Sequence, residues 1–289
     1  MNNEGSETMK IAVVTDSTAY IPTDLVQKHN IHIVPLSVNF GDETYREDID
    51  LTSEQFYEKL KHTKTLPTTS QPAIGAFIEL YESLEDAGYD AVISIHLSKK
   101  FSGTYEAAKS AGNMMERLEV YPYDSELSAM PQGFSAIRTA ELISEGADVE
   151  TILNELDRMK ANTRSYFMVD DLSHLQRGGR LTGAQAVLGS LLNIKPILHI
   201  VDGVIEPFEK VRTRKRALNR IMKMLEEDVQ TKRVKRVVFI HANDEASALS
   251  LRDQFQEKHP EIETIISHFG PVIGTHLGEG SLGISWYKQ

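Results

Sequence analysis

The predicted fold is decided by the stretch Ala91-Val92-Ile93-Ser94-Ile95-His96 and by the loop after it, Leu97-Ser98-Lys99-Lys100-Phe101-Ser102-Gly103-Thr104. The first six residues form a short, largely apolar run, which is typical of a strand buried in a parallel sheet. The loop is rich in hydroxyl groups and opens a helix that we predict over residues 105–116. A buried strand, a hydroxyl-bearing loop and a helix in this order indicate an α/β fold. Ligands of such folds bind where the strands end.

The beginning of the chain shows the same order of features. Residues 10–14 are a short β-branched run that ends in the polar stretch Thr15-Asp16-Ser17-Thr18, which predicts a first buried strand and a loop. Further along, we predict helices over 22–29, 131–143 and 149–160 and strands over 31–40 and 118–123. The N-terminal part is therefore expected to be a doubly wound, mostly parallel sheet with helices on both faces.

The character of the chain changes after Asn162, where we place a domain boundary. Residues 9–162 would form an N-terminal α/β domain, with a small insertion at 41–64 that carries a helix over 51–60. Residues 163–289 would form a C-terminal α+β domain with a mixed sheet. There we predict strands over 165–169, 195–201, 204–210, 237–241, 262–267 and 284–287 and helices over 171–176, 184–193, 213–229 and 244–258. Asp202-Gly203 is a strong hairpin signal, and residues 1–8 are expected to be a disordered tail.

Composition excludes several classes of function. The chain has 289 residues and a net charge of -11, which argues against nucleic-acid binding because that requires basic surface. It contains no cysteine, so a disulfide framework, a thiolate metal site and a cysteine nucleophile are excluded. A local basic region remains, since residues 210–236 hold eleven Lys or Arg against three acidic residues. No signal-peptide pattern and no membrane-spanning apolar run are present in the sequence, which favours a cytoplasmic protein.

A second hydroxyl-rich stretch is Leu66-Pro67-Thr68-Thr69-Ser70-Gln71-Pro72, with Pro72 predicted at the first position of a helix that runs to about Ala87. Hydroxyl groups beside free helix N–H groups attract anions. The alternative is ordinary N-capping by Ser70 or Thr69. Together with the loop that contains Ser102, this stretch predicts two helix N-termini that converge on one small anion.

The stretch Gly270-Pro271-Val272-Ile273-Gly274-Thr275-His276-Leu277-Gly278-Glu279-Gly280 is predicted to be a glycine-rich loop. Glycine lets backbone N–H groups approach a ligand closely, and His276 would donate to an anionic oxygen. The alternative is a turn-rich surface loop that carries a histidine.

The usual motifs of nucleotide and metal chemistry are missing from the sequence. Gly278-Glu279-Gly280-Ser281-Leu282-Gly283 matches G-x-G-x-x-G, but only six residues follow it, too few for a dinucleotide-binding unit. The patterns G-x-x-x-x-G-K-[ST], H-E-x-x-H and G-x-S-x-G do not occur. What remains is a set of hydroxyl groups with Arg180, Arg212 and His276. This set binds an anion well but identifies no base aligned with a nucleophile.

Six ordered motifs together resemble the DegV family, and the resemblance runs from Met9 to the C terminus. The motifs are Thr15-Asp16-Ser17, Thr68-Thr69-Ser70-Gln71-Pro72, Leu97-Ser98 with Ser102-Gly103-Thr104, Arg177-Gly178-Gly179-Arg180, Lys195-Pro196-Ile197 and Gly270-Pro271-Val272-Ile273-Gly274-Thr275-His276. Members of that family are fatty-acid-binding proteins, and the best understood are the lipid-carrying subunits of bacterial fatty acid kinase. The resemblance implies a DegV-like fold with one long-chain fatty acid in an apolar tunnel between the domains.

The resemblance also implies roles for individual residues and for a partner. The carboxylate would be bound by Thr69, Ser70, Ser102 and His276, with Arg180 and Arg212 at the pocket mouth or in contact with the partner. The protein would not be an enzyme by itself and would need no cofactor. It would present the fatty acid to a separate ATP-binding kinase subunit, which makes the acyl phosphate used for phospholipid synthesis. Transient contact with a membrane surface is compatible with this role.

Two alternatives stay open at the level of sequence. One is a stand-alone acyl-ester hydrolase that uses Ser102 and His276. The other is a lipid chaperone or sensor without a kinase partner, which would have the same pocket. The sequence also departs from the family's usual pattern at Lys99 and Lys100, where small residues are common, and at Glu279, where proline is usual. These departures bear on the loop geometry and the electrostatics of the head-group site.

Overall fold

The computed structural model describes residues 9–181, 195–231 and 234–288. The predicted tail over 1–8 and the predicted helix over 184–193 lie outside this range, as do two residues of the basic turn that begins at Arg177.

Strands and helices alternate through the first half of the chain, and a mixed sheet dominates the second half. The strands are β1 (Ile11–Asp16), β2 (Ile31–Val34), β3 (Ser37–Phe40), β4 (Glu43–Arg46), β5 (Thr68–Ser70), β6 (Ala91–His96), β7 (Glu119–Asp124), β8 (Thr163–Met168), β9 (Lys195–Val201), β10 (Val204–Val211), β11 (Val234–His241), β12 (Glu263–His268) and β13 (Leu282–Lys288). The helices are α1 (Thr23–Lys28), α2 (Ser53–His62), α3 (Ile74–Asp86), α4 (Thr104–Gly112), α5 (Met130–Ser144), α6 (Val149–Asn162), α7 (Ser173–Gly178), α8 (Arg214–Thr231), α9 (Glu245–Lys258) and α10 (Pro271–Leu277).

The N-terminal layer is a parallel sheet in the order β2-β1-β6-β7. Every residue of β1 and β6 is buried, because helices cover both faces. On one face Val14 packs in a cluster with Phe77 of α3, and on the other Val13 packs in a cluster with Phe134 of α5. The predicted doubly wound α/β layer is confirmed.

The C-terminal layer is a six-stranded mixed sheet in the order β10-β9-β8-β13-β11-β12. Its neighbours are antiparallel except for the parallel pair β11 and β12. The predicted hairpin of β9 and β10 is confirmed, since Asp202 and Gly203 both have positive φ, 48° and 74°, as a two-residue hairpin turn requires. The first strand of this sheet begins at Thr163, next to the boundary that we propose near Asn162.

The prediction of one strand over 31–40 was wrong. The chain breaks at Pro35, and β3 leaves the parallel sheet to pair with β4 and β5 in a separate three-stranded sheet. A proline lacks the N–H that a continuous strand would donate. The helix α2 comes from the same region and begins with a capping box formed by Thr52 and Gln55. The helix α2 and the strands β3 and β5 all contact α10.

Two further predictions need correction. Thr69 and Ser70 lie in β5, not at a helix N-terminus, and neither caps α3, which begins at Ile74 after Ala73 without a side-chain cap. The antiparallel pairing with β3 overrides the helix signal of Pro72. The glycine-rich stretch at 270–280 is not a loop throughout, because Pro271 starts the short helix α10.

Candidate functional site

A cavity of about 270 Å³ lies where the two layers and α10 meet. Most of its wall is apolar and comes from both halves of the chain: Leu36, Leu97, Phe101, Phe167, Leu175, Ile200, Ile205, Ile240, Phe269, Val272, Ile273 and Leu277. Polar side chains also line it, and most of them were predicted as site residues: Thr69, Ser70, Ser102, Arg180 and His276, with Gln71 and three further serines. The arrangement suits a ligand with a long apolar part and a polar group.

Three separate elements bring the predicted hydroxyl and imidazole groups to this cavity. Thr69 lies on β5, Ser102 lies two residues before α4, and His276 lies on α10. The Nε2 atom of His276 is 2.9 Å from Thr69 Oγ1, so these two side chains are hydrogen-bonded. Ser102 Oγ is 2.9 Å from Thr104 Oγ1. The convergence that we expected from two helix N-termini is thus made by one helix N-terminus, one strand and one further helix.

His276 is a neutral side chain at ordinary pH. Only 8% of it is exposed, and burial, helped by the positive charges of Arg180 and His174, lowers the pKa of His276 to about 3. Its Nδ1 atom has no hydrogen-bond partner among the described residues. This atom lies against Gly178, where the β-carbon of any other residue would overlap the ring. The glycine of the Arg-Gly-Gly-Arg motif therefore makes room for the imidazole.

Arg180 ties the two layers together beside His276. Its Nε donates to Phe101 O at 3.2 Å and its Nη1 to Gly178 O at 2.6 Å. Burial lowers the pKa of Arg180 somewhat, and no acidic group contributes to that shift. A partly buried guanidinium that donates only to carbonyl groups within the described chain attracts an anion.

The other predicted residues are placed less centrally. Ser70 lines the cavity but is exposed, and Asn39 Nδ2 donates to its hydroxyl at 3.5 Å. Arg212 is exposed and is not among the described residues that line the cavity. Its role at the pocket mouth or in a partner contact stays a prediction.

The three residues that depart from the family pattern do not line the cavity. The Nζ atom of Lys100 donates to Asp202 O at 2.7 Å, and Lys99 lies 3.6 Å from Asp124. Glu279 accepts from Asn243 Nδ2 at 2.6 Å. These charges are engaged outside the cavity wall.

A surface depression of about 410 Å³ adjoins the polar side of the cavity. Thr69, Arg180 and His276 line both spaces, so the two spaces lie on either side of these side chains. The depression also carries the basic side chains of Lys64 and Arg177.

A second cluster has the geometry of a hydrolase triad but no access to a substrate. Ser94 Oγ is 2.7 Å from His96 Nε2, and His96 Nδ1 is 3.0 Å from Asp16 Oδ2. All three side chains are fully buried, and none lines the cavity. Asp16 also accepts from Leu97 N at 3.0 Å, so this cluster holds the ends of β1 and β6 together. In the sequence only Asp16 and His96, the polar residues that end β1 and β6, point to this cluster.

Sequence reasoning also missed Glu47, which is 1% exposed and accepts three hydrogen bonds, two from the turn after β1 and one from α10. It lies in a polar stretch that is typical of surface loops, so only the tertiary structure identifies it. Among the described residues there is no group of three or more His, Asp or Glu side chains that could hold a metal ion. Nor does the described chain contain a helix with the length and apolar character needed to span a membrane.

The fold and the site define a two-domain α/β ligand-binding protein, with a largely apolar cavity between a parallel and a mixed sheet and hydrogen-bonding groups at one side. The chain belongs to the DegV family, whose model, described as "Uncharacterised protein, DegV family", matches residues 10–289.

Individual relatives cover nearly the whole chain. Protein DegV of Bacillus subtilis (strain 168) is 55% identical over 279 residues, which is 96% of this chain and 99% of the relative. The crystal structure of DegV from Bacillus subtilis, described as a fatty acid binding protein, is similar with a TM-score of 0.92 and 54% identity over 97% of this chain and 100% of that one. A DegV family protein from Thermus thermophilus, whose structure is described by its fatty acid binding, has a TM-score of 0.89 and 34% identity over 97% and 100% of the two chains.

Proposed function

We propose that this protein binds one long-chain fatty acid in the cavity. The acyl chain would lie along the apolar wall, and the carboxylate would be held by Thr69, Ser102 and His276, with Ser70 and Arg180 beside them. The observation that carries the proposal is the joining of a largely apolar cavity to this group of donors. The fatty acid binding described for the relatives from Bacillus subtilis and Thermus thermophilus supports it.

The energetics of such a ligand fit the two parts of the cavity. Burial of each CH₂ group contributes ~0.8 kcal/mol, which favours a long alkyl chain over a short one. A carboxylate needs two or three convergent donors, and hydrogen bonds to a charged group are the stronger ones. The hydroxyls of Thr69 and Ser102 are such donors. The guanidinium of Arg180 adds a positive charge that neutral His276 does not supply.

We further propose that the carboxylate is presented to a separate ATP-binding kinase subunit, and that the acyl phosphate formed there feeds phospholipid synthesis. A carboxylate oxygen would bond to the γ-phosphorus of ATP as the bond from that phosphorus to ADP breaks. The depression that shares Thr69, Arg180 and His276 with the cavity supports this, because a partner docked there would meet the residues proposed to hold the carboxylate. Lys64 and Arg177 in the depression would attract the phosphate groups.

No observation favours the hydrolase that uses Ser102 and His276. The hydroxyl of Ser102 is hydrogen-bonded to Thr104, and the Nε2 of His276 is hydrogen-bonded to Thr69. A lipid chaperone or sensor would use the same cavity and differs from our proposal only in what docks at the depression.

The test of lipid binding is denaturing extraction of the purified protein followed by mass spectrometry of the extract. We expect about one fatty acid per chain, because an empty apolar cavity is unfavourable to hydrate. Added oleate or palmitate should also raise the melting temperature of delipidated protein, since a ligand at 100 times its Kd stabilises the folded state by ~2.7 kcal/mol. Well-folded protein that contains no fatty acid and is not stabilised by either lipid would refute the proposal.

A further inference from the structure

The buried carboxyl group of Glu47 lies at the N-terminal end of α10. Its Oε1 accepts from the backbone N–H of Val272 at 2.7 Å and from the hydroxyl of Tyr20 at 2.7 Å. Its Oε2 accepts from the hydroxyl of Ser17. One side chain therefore joins the end of β4, the turn after β1 and the first turn of α10.

The partners of Glu47 are themselves fixed. The hydroxyl oxygen of Tyr20 accepts from the N–H of Ile273 at 3.1 Å, so Glu47 and Tyr20 together satisfy two consecutive N–H groups of α10. These groups have no partner within the helix because they belong to its first turn. The hydroxyl oxygen of Ser17 accepts from Leu36 N at 3.0 Å. The network leaves little freedom for the start of α10 to shift.

The helix α2 holds the middle of α10 from another direction. A β-carbon at Gly274 would lie 2.6 Å from Tyr57 Oη and 2.9 Å from a ring carbon of Phe56, so these rings pack directly on the helix backbone. The hydroxyl of Tyr57 donates to Phe269 O at 2.6 Å, just before α10 begins. The segment 41–64, which the sequence predicted as a small insertion, thus supplies Glu47, Phe56 and Tyr57 to one short helix.

That helix carries a large share of the candidate site. Val272 and Ile273, whose N–H groups the network binds, line the cavity, and His276 follows one turn after Val272. The hydrogen bond from His276 to Thr69 joins α10 to β5 over 2.9 Å. A shift of α10 by about 1 Å would break it, because hydrogen bonds weaken beyond ~3.2 Å.

We propose that Glu47 is a positioning residue of the head-group site, which fixes the start of α10 through Val272 and Tyr20 and thereby places His276 against Thr69. Its effect on lipid affinity rests on the proposed function. Its effect on His276 does not, since the geometry of the imidazole can be observed without a ligand.

The experiment compares Glu47→Ala, Glu47→Gln and Tyr20→Phe with a control, Leu225→Ala. Leu225 lies on α8 and is fully buried in the hydrophobic cluster between α8 and the mixed sheet. It is not among the cavity-lining residues, so its truncation should lower stability without disturbing α10. For each variant the melting temperature, the affinity for oleate and the NMR titration of His276 between pH 5 and 8 are measured.

In the wild type, His276 should not titrate in this pH range. In Glu47→Ala, His276 should titrate near ~6.5, the ordinary value of a solvated histidine. Affinity for oleate should fall by about ten-fold or more, because the displaced His276 no longer forms a hydrogen bond to the charged carboxylate of the ligand. Tyr20→Phe should shift both quantities in the same direction by less. Glu47→Gln should restore both, because its carbonyl oxygen replaces Oε1 as the acceptor for Val272 and Tyr20.

The control separates positioning from general destabilisation. Leu225→Ala should lower the melting temperature and leave the titration of His276 and the oleate affinity unchanged. The proposal is overturned if folded Glu47→Ala and Tyr20→Phe both keep the wild-type titration, or if Leu225→Ala changes it as much as they do. If Glu47→Ala does not fold, Tyr20→Phe decides in the same way. A wild type that binds no oleate contradicts the proposed function, while the His276 titration still decides the role of Glu47.

Discussion

At the scale of single residues, burial decides what His276 can do. A histidine whose pKa is lowered to about 3 stays neutral at pH 7, so it takes part in hydrogen bonds without adding positive charge. Its one bonded nitrogen faces Thr69, not a nucleophile. The residue is therefore suited to hold a carboxylate as one member of a hydrogen-bonding group.

The first prediction concerns the hydroxyls of this group. Thr69→Ala or Ser102→Ala should weaken fatty acid binding by about 1–3 kcal/mol, the range for removal of a hydrogen bond to a charged group. Isothermal titration with delipidated protein measures the change, and circular dichroism should show an unaltered fold. Ser83→Ala is the control, because Ser83 is exposed on α3 and its hydroxyl donates to Leu80 O. If Ser102→Ala instead abolished a measurable wild-type turnover of p-nitrophenyl palmitate, the hydrolase alternative would be supported.

The second prediction concerns Arg212. Arg212→Ala should lower ATP-dependent acyl-phosphate formation by about ten-fold or more when a fatty acid kinase subunit is added, because a guanidinium can stabilise negative charge during the transfer. Fatty acid affinity should change little, since Arg212 is not among the cavity-lining residues. Arg216→Ala is the matched control, an exposed arginine in the same basic run.

The two measurements on Arg212→Ala distinguish three roles. Loss of lipid affinity in proportion to activity would place Arg212 in the carboxylate site. Equal activity of the wild type, Arg212→Ala and Arg216→Ala would mean that Arg212 only keeps the protein surface solvated.

At the scale of elements, the sequence predicted what local pattern controls. The buried run of β6 and the Asp202-Gly203 turn each carry their own signal, and both appear as expected. The strand β5 and the helix α10 do not, because each depends on distant segments. Pairing with β3 makes Thr69 part of a strand, and Glu47 binds the first turn of a helix of only seven residues.

The third prediction concerns the tip of the hairpin formed by β9 and β10. The hydroxyl of Ser98 donates to Gly203 O at 2.8 Å, which fastens the hairpin over the cavity that Ile200 and Ile205 line. Gly203→Ala should release this contact, because its β-carbon would lie 2.7 Å from Ser98 Oγ, and should speed fatty acid dissociation. Stopped-flow displacement of a fluorescent fatty acid measures the rate.

A second glycine provides the control for backbone strain. Gly88 has nearly the same φ as Gly203, 76° against 74°, but a β-carbon there would meet no atom within 4 Å. Both substitutions should destabilise the fold by ~1–2 kcal/mol through the left-handed conformation. Only Gly203→Ala should change the dissociation rate, and equal rates in the two variants would contradict the role of the hairpin tip.

At the scale of the whole molecule, the sequence predicted the two layers and most of the polar residues that line the cavity. It did not predict the contacts that hold these parts together. Thr69, Ser102, Arg180 and His276 line one cavity, as the motifs led us to expect. Glu47 and the Asp16–His96–Ser94 cluster were not foreseen, because a polar residue in a loop or at a strand end gives no sign of whether it will be buried. Only the packing of distant segments determines that: α3 and α5 cover the cluster, and α10 covers Glu47.

The fourth prediction is the pH dependence of global stability in the absence of lipid. Burial outweighs three hydrogen bonds and raises the pKa of Glu47 from 4.5 to about 8, so the folded state binds more protons than the unfolded state between these values. The contribution of Glu47 to stability should therefore fall as pH rises toward 8, by up to ~1.4 kcal/mol per pH unit. The pKa of His276 is lowered from 6.5 to about 3, so its contribution is lost as pH falls below 6.5.

Urea unfolding between pH 4 and 8.5 measures both effects. Between pH 4.5 and 6.5 the two contributions oppose each other, so the wild-type curve should be nearly flat there and should fall above pH 6.5. Glu47→Gln should remove the fall above pH 6.5. His276→Asn should make stability fall with rising pH from 4.5 onward, because the contribution of Glu47 is then no longer offset. Curves that run parallel to the wild type in both variants would show that these two groups do not control the pH dependence.

The contact of Gly178 with the ring of His276 has an evolutionary consequence. Because the imidazole occupies the space of a side chain at position 178, the two positions cannot mutate independently. A bulkier residue at position 178 becomes tolerable only after His276 has been replaced by a residue without a ring. Restoring histidine at position 276 while the bulkier residue remains at 178 would then produce a steric clash. The pair should show strong epistasis in a library that randomises both codons. Descendants that have changed both positions could not regain His276 by a single substitution.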